Sequence, residues 1–191
     1  MEKNQCFTLL DKAGVKLEPS KLKDSTLVLI DIQNEYLSKG NVPLTGVDEA
    51  ISEGKILLER ARKLKCPIVH VVHNGPKGSG FYDPETKGGQ IVDIVSPIDG
   101  EPVIVKTNVS SFVNTSMKET LEGFGRKELV VIGFMTHMCV STFVRAAVEQ
   151  YGYKCTVVAS CTATRDLPSK TIDGGVVKAK EVQESNISAL A

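Results

Sequence analysis

Five runs of Val, Ile and Leu recur along the chain without the polar alternation of a half-exposed sheet: 26–32, 67–73, 102–106, 128–133 and 154–159. Such runs predict strands buried on both faces of a parallel sheet. Between them apolar residues fall at helical spacing. Val47, Ala50, Ile51, Leu57, Leu58, Ala61 and Leu64 mark a helix over 47–64, with Thr45 and Asp48 as its N-capping pair. A shorter helix is predicted over 115–121, closed by Gly123 and Gly125. The clearest face, Val140, Phe143, Val144, Ala147, Val148 and Tyr151, predicts a helix over 139–151 that Gly152 ends. Another runs from Lys178 towards the C-terminus. Strand–helix alternation with short connections predicts an α/β fold. The expected form is an open, mainly parallel sheet of five to six strands with helices on both faces, a three-layer, Rossmann-like arrangement. Residues 1–23, mixed and Lys-rich, read as an N-terminal arm, and 24–191 as a single domain. One segment breaks the rhythm. Residues 74–90 hold five glycines and two prolines in 17 positions, a composition suited to a binding loop or lid.

Charge and composition narrow the partners. In 191 residues, 23 basic and 23 acidic side chains cancel, which argues against nucleic acid or a membrane surface as partner. With 41% hydrophobic and 24% charged residues the chain suits a globule rather than a disordered polymer. Its longest apolar runs, such as 27–30 and 129–132, are too short to cross a bilayer, and no signal peptide is visible. A cytoplasmic address is expected. The five cysteines, Cys6, Cys66, Cys139, Cys155 and Cys161, are odd in number, widely spread and form no C-x-x-C pair, so neither a disulfide framework nor a zinc knuckle is expected.

Ligands of open α/β sheets bind at the carboxyl ends of the strands. Three reactive side chains fall on that edge: Asp31 at the end of the first strand, Lys106 at the end of the third, and Cys139 just after the fourth, opening a helix. Singly, each has an ordinary reading as a turn residue, a solvated charge or a small core residue. Their convergence on one edge changes the reading. A helix N-terminus and an ammonium favour a thiolate, which predicts Cys139 largely ionised near neutral pH and the first of the thiols to be alkylated, with Cys6 reactive through exposure alone. A carboxylate can take the thiol proton and return it to a leaving group, while N–H groups around Met135 and Cys139 can hold an oxyanion.

The segments Asp31-Ile-Gln-Asn-Glu-Tyr36, Lys106-Thr-Asn-Val-Ser-Ser-Phe112 and Gly133-Phe-Met-Thr-His-Met-Cys139-Val-Ser-Thr142 together resemble the isochorismatase-like cysteine hydrolases, a superfamily that includes nicotinamidases and N-carbamoyl amidases. The resemblance runs from about residue 24 to the end. It implies Cys139 as nucleophile, Asp31 as general acid/base, Lys106 as their electrostatic partner, a cis Phe134–Met135 peptide, and Met135 and Cys139 N–H groups in an oxyanion hole. Gln33, Tyr36, Phe112, Phe134 and His137, which lie in or beside these motifs, are the expected pocket residues, and the aromatic Phe81 and Tyr82 are further candidates for its wall; the resemblance also points to a homo-oligomer. The implied activity is hydrolysis of a C–N bond in a small-molecule amide or ureide through a thioester, with no cofactor. Two alternatives stand beside it: a metal-dependent nicotinamidase, and a non-catalytic or redox-sensing module. Nicotinamidases carry an Asp-x-His pair after the second strand. Here that loop has Asp83 but no histidine after His73, and alternation sends His70 and His73 to opposite faces, so no metal is expected. Ser160 and Gln183 stand where the family commonly has Asp and His. The chain stops at Ala191, before the family's usual sixth strand, which is either absent or trimmed.

Overall fold

The computed structural model describes residues 7–190, so Cys6 lies outside the described residues. Five strands, β1 (Ser25–Ile30), β2 (Ile68–His73), β3 (Val103–Lys106), β4 (Glu128–Phe134) and β5 (Lys154–Ala163), form one parallel sheet in the order β3-β2-β1-β4-β5. A short helix α1 (Leu9–Lys12) precedes the sheet. Helices α2 (Val47–Lys63), α3 (Met117–Phe124), α4 (Ser141–Glu149) and α5 (Ala179–Ser188) follow, with a two-stranded ribbon β6–β7 (Leu167–Pro168, Val176–Val177) before α5. One apolar cluster joins α2 to one face of the sheet through Leu58, Ala61, Leu27, Leu29, Val130 and Ile132. The other joins α3 and α4 to the opposite face through Met117, Leu121, Phe143, Val144, Val28 and Val131. Side chains of β1 alternate between the two clusters, which is why its sequence reads as an unbroken apolar run. Among the described residues no helix is long and apolar enough to cross a membrane.

The structure departs from the expected pattern at the sheet's margins and at the helix starts. Only the central strands are buried on both faces. The edge strand β3 alternates, with Val103 and Val105 exposed and Ile104 and Lys106 buried. The other edge, β5, runs on to Ala163 because its register against β4 shifts between Val131 and Gly133. Gly46, in the left-handed conformation, begins α2 without a side-chain cap. Thr45 is occupied instead in a bridge to Thr164. The third helix starts at Met117, whose N–H is accepted by Thr115 Oγ1, and extends through Gly123 to the left-handed Gly125. The segment read as one helix from Cys139 is two elements: a π turn over Thr136–Val140, then α4.

Gly133 is the residue that lets β4 reach the site. Its φ is +118°, a region L side chains rarely enter, and an added Cβ would overlap the Ile30 carbonyl of β1. Gly133→Ala is therefore expected to destabilise the fold by about 3 kcal/mol or more. Urea unfolding of the variant beside the parent chain measures this.

Candidate active site

Asp31 follows β1 directly and adopts a left-handed backbone, φ 50°, which aspartate tolerates better than most residues. Its N–H is held by the Val71 carbonyl of β2 at 3.0 Å, so the turn is anchored to the neighbouring strand. Lys106 ends β3 on the inward side of that strand's alternation. Cys139 sits in the π turn, an insertion of the kind that re-aims a side chain at functional sites. The turn itself is fastened from behind. Thr136 Oγ1 donates to Gln183 Oε1 at 2.6 Å, and Gln183 Nε2 donates to Thr162 Oγ1 at 2.8 Å, which ties the turn to α5 and β5.

These elements bring Asp31, Lys106 and Cys139 together. The Lys106 ammonium lies 2.8 Å from Asp31 Oδ2, and both side chains are fully buried. It also donates to His73 Nδ1 at 2.9 Å, Asn108 O at 3.1 Å and Cys139 Sγ at 3.3 Å. An ammonium has three hydrogens, so it shares them among these four neighbours. The Asp31 contact is the shortest of the four and joins opposite charges, an ion pair and a charge-assisted hydrogen bond in one. Burial and the Asp31 charge push the Cys139 thiol up to about 12, against the opposing pull of Lys106. This corrects the expectation of a thiolate near neutral pH. The sulfur lies within the turn rather than at the start of a regular helix, and desolvation outweighs the ammonium.

Donor atoms of Asp31, His73 and Cys139 lie within 4.8 Å of one another, a spacing a metal ion uses. The Lys106 ammonium contacts all three residues and already supplies the positive charge there. A metal does not fit beside it. His70 faces away and meets Glu101 Oε2 at 3.0 Å, while Asp83 accepts from the N–H groups of Gly78 and Glu85 and so shapes its own loop.

Cys139 opens onto a cavity of about 430 Å³ whose wall includes Tyr36, Val42, His73, Phe81, Tyr82, Val109, Met135, Met138 and Arg165. The loop over 74–90 supplies Phe81 and Tyr82. Tyr82 has a left-handed backbone (φ 48°), its ring packs at 5.1 Å from His73, and its hydroxyl donates to Tyr36 Oη at 2.9 Å. Burial raises Tyr36 far above an ordinary phenol and takes Tyr82 to about 12, so both hydroxyls stay neutral. The Phe134–Met135 peptide is cis, and among the described residues the Met135 N–H has no acceptor.

Four residues expected in the pocket are found elsewhere. Phe112 stacks on Phe143 at 5.1 Å and on Tyr151 at 4.5 Å, because its loop has already turned over the outside of α4. Gln33 is wholly buried beneath the site. Its Oε1 accepts from His73 N, and its Nε2 donates to the carbonyls of His73 (2.9 Å) and Gly89 (2.7 Å). Phe134 is buried behind Tyr36 at a ring separation of 5.7 Å. His137 is drawn to Thr164 Oγ1 through Nδ1 at 2.6 Å, away from the cavity, and burial with the nearby Arg165 charge lowers its pKa. Sequence reasoning missed His73 and Arg165 as pocket residues. The signal was available, since His73 ends β2 and Arg165 follows β5 on the same edge that drew notice to the other three.

The family model described as the isochorismatase domain matches residues 25–173. A crystal structure of an isochorismatase from Pseudomonas putida superposes with a TM-score of 0.90 at 40% identity, over 97% of this chain and 93% of that one. The Bacillus subtilis isochorismatase family protein YddQ is 39% identical, over 87% of this chain and 91% of its own. The secreted isochorismatase effector Isc1 of Verticillium dahliae is 36% identical, over 81% and 80%. Further relatives include a ureidoacrylate amidohydrolase of Rhizobium rhizogenes (30% identical, over 79% of this chain and 75% of its own) and a streptothricin hydrolase of Streptomyces noursei (29%, over 75% and 51%). With the parallel sheet and the strand-end cluster already in view, this chain belongs to the isochorismatase family of hydrolases.

Proposed function

We propose that the chain hydrolyses a C–N bond of a small amide or ureide, with Cys139 as nucleophile, Asp31 as general acid/base and Lys106 as the charge that holds both. The observation that carries the reading is one buried ammonium in contact with a buried carboxylate and with a thiol facing a cavity. In the resting site the sulfur keeps its proton. On attack that proton passes to an Asp31 oxygen, and the sulfur's electron pair forms the bond to the carbonyl carbon. The carbonyl oxygen gains the negative charge, which the Met135 and Cys139 N–H groups receive. The C–N bond then breaks, the nitrogen leaves with the proton from Asp31, and a thioester remains. Water adds to the thioester with Asp31 taking its proton, the C–S bond breaks to release the acid, and Asp31 returns the proton to the sulfur, which restores the thiol.

The wall of the cavity is mostly aromatic and apolar, with Arg165 as the exposed cation at its rim. That pairing favours a substrate with a compact body and a carboxylate distant from the scissile carbonyl. The ureidoacrylate in the name of one relative has this chemistry. A metal-dependent nicotinamidase is disfavoured because the loop after β2 holds Asp83 but no histidine after His73, and a thiol sensor without turnover is separated by steady-state assay.

A panel of carboxylated and neutral amides and ureides, scored for ammonia or amine release, tests the reading. Cys139→Ala is expected to abolish release, and Lys106→Met to lower it at least about a hundredfold. Loss of release in neither variant overturns the assignment. Arg165→Gln should raise KM for carboxylated substrates roughly five- to tenfold and leave neutral ones unchanged, a difference read from initial-rate kinetics. Asp31→Asn should separate acidity from catalysis. Removing the neighbouring negative charge lowers the Cys139 pKa, so iodoacetamide labelling at pH 8 should rise roughly tenfold while turnover is lost. Site-resolved mass spectrometry, with Cys155 as the internal reference, reports the labelling.

A further inference from the structure

We propose that Asn41 is a specificity-determining residue of this site: its side-chain carbonyl accepts a hydrogen bond from a substrate N–H that is not on the expelled nitrogen, as the second nitrogen of a ureide supplies. The inference rests on the hydrolysis proposed above and narrows its substrate class.

Asn41 lies on the wall of the cavity onto which Cys139 opens, and it is exposed at the rim. Its Nδ2 donates to Glu35 Oε1 at 2.5 Å and to the Gly80 carbonyl at 2.9 Å. The Gly80 oxygen can only accept, so the amide cannot be turned over: an oxygen in place of Nδ2 would face that carbonyl and a carboxylate together. Both amide hydrogens are thereby engaged. What Asn41 has left to offer is Oδ1, which has no partner among the described residues.

Glu35 makes this hold firm. It is 1% exposed, and its other oxygen packs so closely on Gly88 that a Cβ there would overlap it. Among the described residues no basic side chain pairs with it. A carboxylate so near the amide nitrogen draws on its hydrogen and leaves more negative charge on Oδ1, which strengthens that oxygen as an acceptor.

The rim thus has two poles. Arg165 presents a cation, while Asn41, backed by the Glu35 charge, presents an acceptor. The other polar side chains of the wall are engaged, His73 with Lys106 and the hydroxyls of Tyr36 and Tyr82 with each other. An acceptor-only group selects against a ligand that covers it without bringing a donor, because the oxygen then loses water and gains no partner. A simple primary amide, R–CO–NH2, spends its one nitrogen as the leaving group. A ureide, R–NH–CO–NH2, keeps a second N–H when ammonia leaves, and it meets both poles when R carries a carboxylate.

Asn41 also ties the loop tip at Gly80 to Glu35, so the test must separate recognition from that tie. The substrates are a carboxylated ureide and its analogue methylated on the retained nitrogen. The parent chain should favour the N–H form by about fivefold or more in kcat/KM, the scale of one hydrogen bond. In Asn41→Leu that preference should shrink to within about twofold, with the loss carried by KM for the N–H form. Loss of the loop tie alone would slow both forms alike and leave the preference intact. Should Asn41→Leu fail to fold, Asn41→Ser, which can still donate to one of the two acceptors but brings no carbonyl, takes its place with the same expected collapse. Calorimetric binding of the same two compounds to Cys139→Ala, with and without Asn41→Leu, should show the same preference and its loss. Equal handling of the two forms by the parent chain, a preference that survives in the Asn41 variant, or a best substrate with no N–H beyond the leaving nitrogen overturns the inference. A parent chain that releases no ammonia or amine from any substrate instead overturns the proposed function. The binding measurements then decide the role of Asn41, and equal affinity for the two compounds, or none for either, overturns it.

Discussion

Everything at the strand ends is arranged around one buried ammonium. Removing a charged amine from water costs several kcal/mol, and that cost is offset only by close partners. Lys106 finds an anion, an imidazole, a carbonyl and a sulfur, each delivered by a different segment. The requirement explains why β1, β2, β3 and the π turn must end at the same height. Their parallel register does this, pairing Ile30 with both Val71 and Gly133, and His73 with Lys106. A sheet slipped by one residue would leave the charge buried and unpaired.

The ammonium also sets the thiol's state. In many thiol enzymes an adjacent cation yields a standing thiolate. Here the same cation is partly neutralised by Asp31 and the surroundings are dry, so the sulfur stays protonated at rest. Under the proposed mechanism the thiol reacts only when a carbonyl enters the cavity, and at rest it is a poor target for stray electrophiles. Cys155 is equally raised by burial alone but has neither carboxylate nor ammonium beside it, so its thiol is simply inert.

The sheet and the cluster of Asp31, Lys106 and Cys139 were legible in the sequence because both follow from local rules: apolar runs mark buried strands, and reactive residues at their carboxyl ends share one edge. The pocket wall was not legible. Phe112 lies close to Lys106 in sequence, yet its ring joins Phe143 and Tyr151 on the outside of α4. In the sequence His73 reads only as a candidate metal ligand, whereas its partner is an ammonium two strand-ends away from Asp31 along the sheet. Which way a loop carries a side chain is decided by tertiary packing, and neither periodicity nor proximity along the chain encodes it. The π turn was hidden for a related reason, since its apolar residues continue the helical stripe of α4 without interruption.

The glutamine beneath the site divides the enzyme into two separable parts. Gln33 grips the peptide of His73 on one side and the carbonyl of Gly89 on the other. Strand ends above it carry the reactive atoms, and the loop it holds carries Phe81 and Tyr82. Tyr82 still meets His73 and Tyr36, so it is the tip around Gly78 and Gly80 that can change length or composition without touching the partners of the buried charge. A scaffold built this way can acquire new selectivity by exchanging one short segment while its reactive centre is inherited intact.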